Sequence, residues 1–277
     1  MTQTDSSEHQ VLAGDEYAGV AEFYDFVLPY RERPDVAFYV EAARESGGPV
    51  LEVGCGTGRV LIPTTRAGIE IVGLDGSPHM LNLCRSRLKQ EPPDVQARVR
   101  LLEGDMRRFT VDRGFRLATI PFRPFQHLLT VSDQLACLAC IRHHLADDGL
   151  LVFDIFNPSL DFLVTKPVGE EFNSDPEFLM DDGRRVFRRG RIVGRNRFTQ
   201  VTQYELIYYV SHPDGRNERL VHAFSMRNTF RFEAEHLLVR AGYDIEHLYA
   251  DFDRSPYGSK YPGELIFVAR KRLGKAA

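Results

Sequence analysis

The sequence predicts an α/β protein: a doubly wound, mostly parallel sheet of seven strands, with a small antiparallel sheet inserted before its last helix. Three observations carry this. Residues 51–60 read Leu-Glu-Val-Gly-Cys-Gly-Thr-Gly-Arg-Val, a strand running into a glycine-rich turn. From residue 49 to about 156, short apolar runs alternate with stretches of helical period, which calls for a parallel sheet covered on both faces. After Asn157-Pro158 the pattern changes to period two, the mark of half-buried antiparallel strands.

The elements follow in order. Residues 1–14 are polar and acidic and read as a disordered tail. Residues 15–48 read as a helical lid: Tyr17 to Val27 is apolar at helical spacing, and Pro34 opens a second helix to about Ser46. The core spans 49–158. Its first strand is Val50 to Val53, followed by a helix from about Thr57 to Arg66 with Gly68 as its stop. The second strand is Ile69 to Leu74. Ser77 and Pro78 form an N-cap and first-turn proline for a helix through Leu88. Val99 to Glu103 and Phe115 to Ile120 are the third and fourth strands. Ser132-Asp133 caps a helix to Leu145, and Asp148-Gly149 turns into the fifth strand, Leu150 to Ile155. In the insert, 159–229, residues 160–183 read as irregular. Alternating runs then begin at Arg185, Gln203 and Arg219, the last two joined by a hairpin turn at Pro213-Asp214-Gly215. Residues 230–277 return to the core: a helix from Glu233 to Ala241, ended by Gly242, then strands Tyr243 to Tyr249 and Glu264 to Arg270.

Composition narrows the function. The net charge is −4, which gives no broad pull toward nucleic acid. No run of 18 apolar residues is present, so no membrane span is expected. Four cysteines without framework spacing fit a reducing cytoplasm. Cys137 and Cys140 form C-x-x-C, but on a helical pattern without a zinc partner pair, and they read as core packing; no metal site is expected. A homodimer is compatible with this composition.

A strand, a glycine-rich turn, a helix and an acid at the tip of the next strand make a nucleoside-binding βαβ half. The acid is Asp75, placed to accept two hydrogen bonds from a ribose. The glycines let the backbone approach a ligand, and free N–H groups at the following helix would favour an anion. The spacing Gly54, Gly56, Gly58 is G-x-G-x-G, not the dinucleotide G-x-G-x-x-G, whose third glycine is replaced by Arg59. Glu52 precedes the first glycine by two; it would repel a pyrophosphate and suits a ligand with a cationic end. S-adenosylmethionine (SAM) has that profile: an amino group, a sulfonium, one carboxylate and no phosphate.

With Glu52, the stretch resembles motif I of class I SAM-dependent methyltransferases, E-x-G-x-G-x-G. The inserted sheet and aromatic N-terminal segment are similar in architecture to small-molecule N-methyltransferases of the glycine and amino-sugar type. The resemblance implies that Glu52, Gly54, Cys55, Gly56 and Gly58 line the methionine half of the cofactor. Asp75 and Gly76 would meet its ribose, and Met80 would pack on the adenine. Gly104, Asp105 and Met106 resemble the element that holds the adenine amino group. Pro121, Arg123 and His127 lie on the loop after the fourth strand, which in such enzymes faces the sulfonium. His127, in an F-x-H-L pattern, would position or deprotonate the acceptor, and is a catalytic candidate with Tyr24. Tyr17 and Tyr24 would offer oxygens and ring faces to the sulfonium. Arg33 would pair with the methionine carboxylate. Arg123, Tyr208 and His222 would face the acceptor; strand alternation allows only one of Tyr208 and Tyr209 to point inward.

The expected reaction is methyl transfer from SAM to a small-molecule acceptor, foremost an amine. O- or S-methylation and non-catalytic SAM binding remain alternatives. Glu52 and Arg59 argue against a nicotinamide oxidoreductase. A nucleic-acid methyltransferase would carry N/D-P-P-Y/F after the fourth strand, where Ile120-Pro-Phe-Arg stands.

Overall fold

In the computed structural model, which describes residues 15–273, β1 (Val50–Val53) lies mid-sheet and is buried along its whole length. Burial on both faces is why the run is continuously apolar apart from Glu52. On one side of it stand β2 (Ile71–Asp75) and β3 (Val99–Glu103). On the other stand β4 (Phe115–Ile120), β5 (Leu145–Phe156), β12 (Glu264–Lys271) and β11 (Tyr243–Tyr249). β1 to β5 run parallel, and β12 runs antiparallel between β5 and β11. The order reverses between β1 and β4. A crevice at the carboxyl ends of the strands opens at such a switch point.

The expected seven-stranded α/β sheet is therefore present, and so is the inserted antiparallel sheet. In the latter, β8 (Arg185–Asn196), β9 (Val201–Ser211) and β10 (Asn217–Arg227) form a meander. β6 (Glu171–Asn173) and β7 (Phe178–Leu179) pair on β8. The segment 160–183 is thus more ordered than its composition implies: it also holds a short helix, Leu160–Thr165, capped by Ser159.

Other boundaries move for local reasons. The lid is not one helix from Tyr17. Gly19 takes φ 82° and Val27 is extended, so the segment breaks into turns, a 3-10 turn (Ala21–Phe26) and a short helix, α1 (Leu28–Arg31). The next helix, α2, is Asp35–Ser46. The helix after the glycine loop, α3, begins only at Leu61, because Gly54, Gly56 and Gly58 all take positive φ and hold residues 54–60 in turns. The helix α4 (Pro78–Leu88) starts as expected, with the Ser77 hydroxyl accepting from the Met80 N–H. The following long helix, α6 (Val131–His144), is capped by Thr130 rather than Ser132. The last helix is Arg231–Arg240. The expected tail, 1–14, lies outside the described residues.

Two apolar clusters fill the faces of the main sheet. Cys137 is buried in one of them, in keeping with a packing role. A third cluster joins the lid to the inserted sheet: Val20, Phe23 and Val27 pack on Val186, Tyr208 and Val210. No helix is long and apolar enough to cross a membrane among the described residues.

Candidate active site

The carboxyl ends of the parallel strands, the lid and the inserted sheet enclose one large cavity of about 1750 Å³. Its floor is the glycine loop. Gly54 has φ 73°, and a Cβ there would lie 2.5 Å from the Pro124 ring, so only glycine lets the loops after β1 and β4 meet. Gly56 donates its N–H to Asp75 Oδ2 at 2.7 Å, and Ser77 donates to Oδ1 at 2.8 Å. The N–H of Gly56 is therefore not free for an anion, and the late start of α3 removes the helix terminus expected there. Burial holds the Asp75 carboxyl above its ordinary range, and each of its oxygens keeps a lone pair.

Glu52 is 2% exposed and lines the cavity, and its Oε2 has no hydrogen-bond partner. Burial pushes its carboxyl up to about 8, against a smaller opposing pull from Arg59. Cys55, Gly76, Met80, Gly104, Met106 and Pro121 also line the cavity, as does Asp105. The Asp105 carboxylate is shared with Arg107, whose guanidinium bonds both oxygens and holds the acid below its usual range.

Two residues expected at the cofactor lie elsewhere. Gly58 does not line the cavity; a Cβ on it would come 2.7 Å from Cys84 Sγ, so its role is close packing of the loop on α4. Arg33 is outside the cavity too. Its guanidinium is held by Asp35 at 3.1 Å, Asp154 at 2.9 Å and Glu264 at 3.0 Å. Arg59 joins this network through two bonds to Asp35. The buried acid Asp154 also accepts from the Tyr39 hydroxyl at 2.6 Å and the Phe122 N–H at 2.8 Å.

That last bond fixes the loop after β4. Phe122 and Arg123 both take positive φ, 65° and 76°, a conformation rare for bulky residues and found where surroundings over-determine the backbone. The Phe122 ring is covered by the guanidinium groups of Arg33 and Arg59 at 4.8 and 4.9 Å. Arg123 lines the cavity and bonds Glu264. His127, on the same loop, reaches the cavity wall. Burial pulls its imidazole down to about 4. His222 on β10 follows, lowered to about 4 by burial and then by His127. Both rings are neutral at pH 7.

The lid contributes Tyr17, Tyr24 and Tyr30, an aromatic group whose rings meet each other and Phe122. Burial raises the Tyr17 and Tyr24 phenols above the ordinary range, so both stay protonated. Tyr208 points inward with 2% exposure, and Tyr209 points the other way to Glu171.

Comparison with known proteins places this geometry. A family profile described as a methyltransferase domain matches residues 50–149. Residues 50–149 are an S-adenosylmethionine-dependent methyltransferase domain. The methyltransferase is 28% identical over 220 residues to the dTDP-3-amino-3,4,6-trideoxy-alpha-D-glucopyranose N,N-dimethyltransferase of Streptomyces venezuelae, covering 78% of this chain and 84% of that one. Its fold matches the CcbJ methyltransferase from Streptomyces caelestis with a TM-score of 0.74 at 20% identity, over 94% of this chain and 99% of that one. It is also similar to CalS10, a SAM-bound amino pentose methyltransferase from Micromonospora echinaspora: TM-score 0.62, 28% identity, 86% and 89% coverage.

The residues present fit the cofactor. The methyltransferase holds an orphaned carboxylate oxygen, Glu52 Oε2, buried beside the glycine loop where a cationic amino group would satisfy it. Sequence reading missed several parts of the site. Asp15 and Glu16 sit in a segment with no motif. Arg188, 2% exposed on β8, bonds Asp175, Tyr30 and Tyr208 at the cavity wall. Asp154 left a readable signal: a lone acid inside the apolar run Val152-Phe-Asp-Ile155.

Proposed function

We propose that this enzyme methylates the nitrogen of a small-molecule amine. The observation that carries the reading is the acceptor-side wall, where two neutral imidazoles, His127 and His222, offer hydrogen-bond acceptors. Neither is a strong base. Holding a proton at pH 7 on a group whose pKa is about 4 costs about 4 kcal/mol. A hydroxyl acceptor needs a base to attack, whereas an amine needs only to be present unprotonated. The Streptomyces venezuelae relative is an N,N-dimethyltransferase of an amino sugar by its name, and CalS10 is by its name an amino pentose methyltransferase, which supports the same reading.

In this proposal Glu52 holds the amino end of the cofactor, Asp75 its ribose hydroxyls, and Met80, Asp105 and Met106 its adenine. SAM supplies a methyl group on cationic sulfur with a neutral thioether as leaving group, so nothing need be protonated on that side. Tyr17 and Tyr24 present neutral phenol oxygens and ring faces to the cation. His127 orients the acceptor as a neutral hydrogen-bond acceptor, the strained loop after β4 fixing its position. Tyr208, His222 and Arg123 shape the acceptor half, and residues 159–229 close over it. Rate enhancement then comes from positioning and exclusion of water.

The test is a screen of amines, phenols, thiols and carboxylates with SAM labelled in its methyl group. Label is expected on amines, amino sugars included. Label on phenols or thiols alone would overturn the reading.

A further inference from the structure

Three polar groups with no cofactor role in the proposal above line the same cavity. Glu16 Oε2 lies 3.9 Å from His127 Nδ1 and 4.0 Å from His222 Nε2. Both separations are too long for hydrogen bonds. Yet His222 Nε2 is buried and has no partner, an arrangement that costs free energy unless something satisfies it. The three atoms come from different parts of the chain, the lid, the loop after β4 and the inserted sheet, and all three residues line the same cavity.

The position of Glu16 is not accidental. Asp15 clasps the lid to the start of α4: its Oδ2 accepts from the Ser77 hydroxyl at 2.5 Å and lies 2.7 Å from His79 Nδ1. Its Oδ1 accepts from the Tyr17 N–H at 3.0 Å, and its backbone oxygen from Ala18. Glu16 is the middle of the turn so formed. The Tyr17 ring lies 4.8 Å from the His222 ring, and the Phe224 ring 4.9 Å from it. The seat is half-open at Glu16, whose side chain is 47% exposed.

We propose that Glu16, His127 and His222 form a seat for a primary or secondary ammonium group of the acceptor: Glu16 supplies the charge, the imidazoles accept N–H bonds, and transfer of one N–H proton to the Glu16 carboxylate leaves the nitrogen lone pair free to attack the methyl group. A nitrogen about 2.9 Å from the Glu16 oxygen and from a ring nitrogen bridges either the 3.9 Å or the 4.0 Å separation. The chemistry is selective. A carboxylate or phosphate would meet a carboxylate and two uncharged rings, whereas an ammonium offers two or three N–H donors to the carboxylate and to the unprotonated nitrogen of each ring. The groups facing Glu16 are Asp15, Tyr17, His127 and His222; the first adds negative charge and the other three are neutral at pH 7. Arg188 touches the balance only through His222.

The inference rests on the N-methylation reading, and its test is separate from that reading. Methylammonium chloride, the smallest primary ammonium salt, is titrated at pH 7 into the full-length enzyme saturated with S-adenosylhomocysteine (SAH). The ring nitrogens of His127 and His222 are followed by NMR, with potassium chloride as the ionic-strength control. Both rings should shift together and saturably. In Glu16→Gln the response should weaken by about ten- to a hundredfold at unchanged SAH affinity. His222→Phe keeps the ring volume and should weaken the His127 response about tenfold. Absence of a response in the wild type, or an equal one in Glu16→Gln, overturns the seat. If Glu16→Gln fails to bind SAH, an undiminished His127 response in His222→Phe overturns it. A label screen that returns only hydroxyl acceptors, with methylammonium still bound, would sink the N-methylation reading and leave the seat.

Discussion

Glu52 should make cofactor binding depend on pH in a way that one substitution removes. The free enzyme holds this carboxyl at about 8 because burial opposes its charge. A ligand amino group at its orphaned oxygen favours the ionised form. At pH 7 only about one molecule in eleven carries the carboxylate, and at pH 6 about one in a hundred. Affinity should therefore rise by nearly tenfold from pH 6 to pH 7, and binding at pH 7 should release about 0.9 proton. Above about pH 7.5 the ligand's own α-amino group begins to lose its proton, so the range to use is 5.5–7.5. Calorimetry with SAH in two buffers of different ionisation enthalpy measures both quantities. Glu52→Gln, which resembles the protonated acid, should match the wild type near pH 5.5 and fall behind progressively as pH rises. A flat affinity across this range, or binding without proton release, would refute the assignment of Glu52 to the amino end.

Four further outcomes follow from the same geometry. Asp75→Ala should cost about 1.5–3 kcal/mol of SAH affinity by calorimetry, since charge-assisted bonds are lost; an unchanged constant removes Asp75 from the ribose. His127→Ala should raise KM for an amine acceptor more than it lowers kcat, and at saturating SAM the wild type and the variant should share one pH profile between 6 and 7, because the ring titrates at about 4; an acid limb near 6.5 that the substitution removes contradicts this. Gly58→Ala combines φ 82° with a Cβ 2.7 Å from Cys84 Sγ, so it should destabilise by about 1–3 kcal/mol, read as a lowered Tm. In the cofactor-free protein, the folded state holds the Glu52 proton up to about 8 while an unfolded carboxyl releases it near 4.5. The stability that proton contributes is complete below about 4.5 and lost as pH rises toward 8, so Glu52→Gln should raise Tm more at pH 8 than at pH 5.

What could be read beforehand was what local sequence determines. Glu52, Gly54 and Gly56, the Asp75 tip and the Ser77-Pro78 cap each act within a few residues, and all line the cavity. The strand alternation after Arg185 showed the inserted sheet for the same reason: its period is a local property. Pairing between distant residues was not legible. Arg33 looked free to meet a carboxylate because its partners Asp154 and Glu264 are 121 and 231 residues away. Gly58 looked like part of the ligand cradle because the cysteine that crowds it belongs to α4, 26 residues on. The convergence of Glu16, His127 and His222 depends on three elements folding onto one cavity, and no spacing in the chain records it. His127 was visible as a candidate, but its neutral state comes from burial by the inserted sheet and the lid.

The most direct test of the account is a crystal structure of the full chain with SAH. The account predicts the amino end of the ligand against Glu52, both ribose hydroxyls on Asp75, and the adenine between Met80 and Met106. It also predicts the sulfur opening toward His127 and His222. A ligand with its ribose away from Asp75, or with its adenine under the inserted sheet, would contradict it.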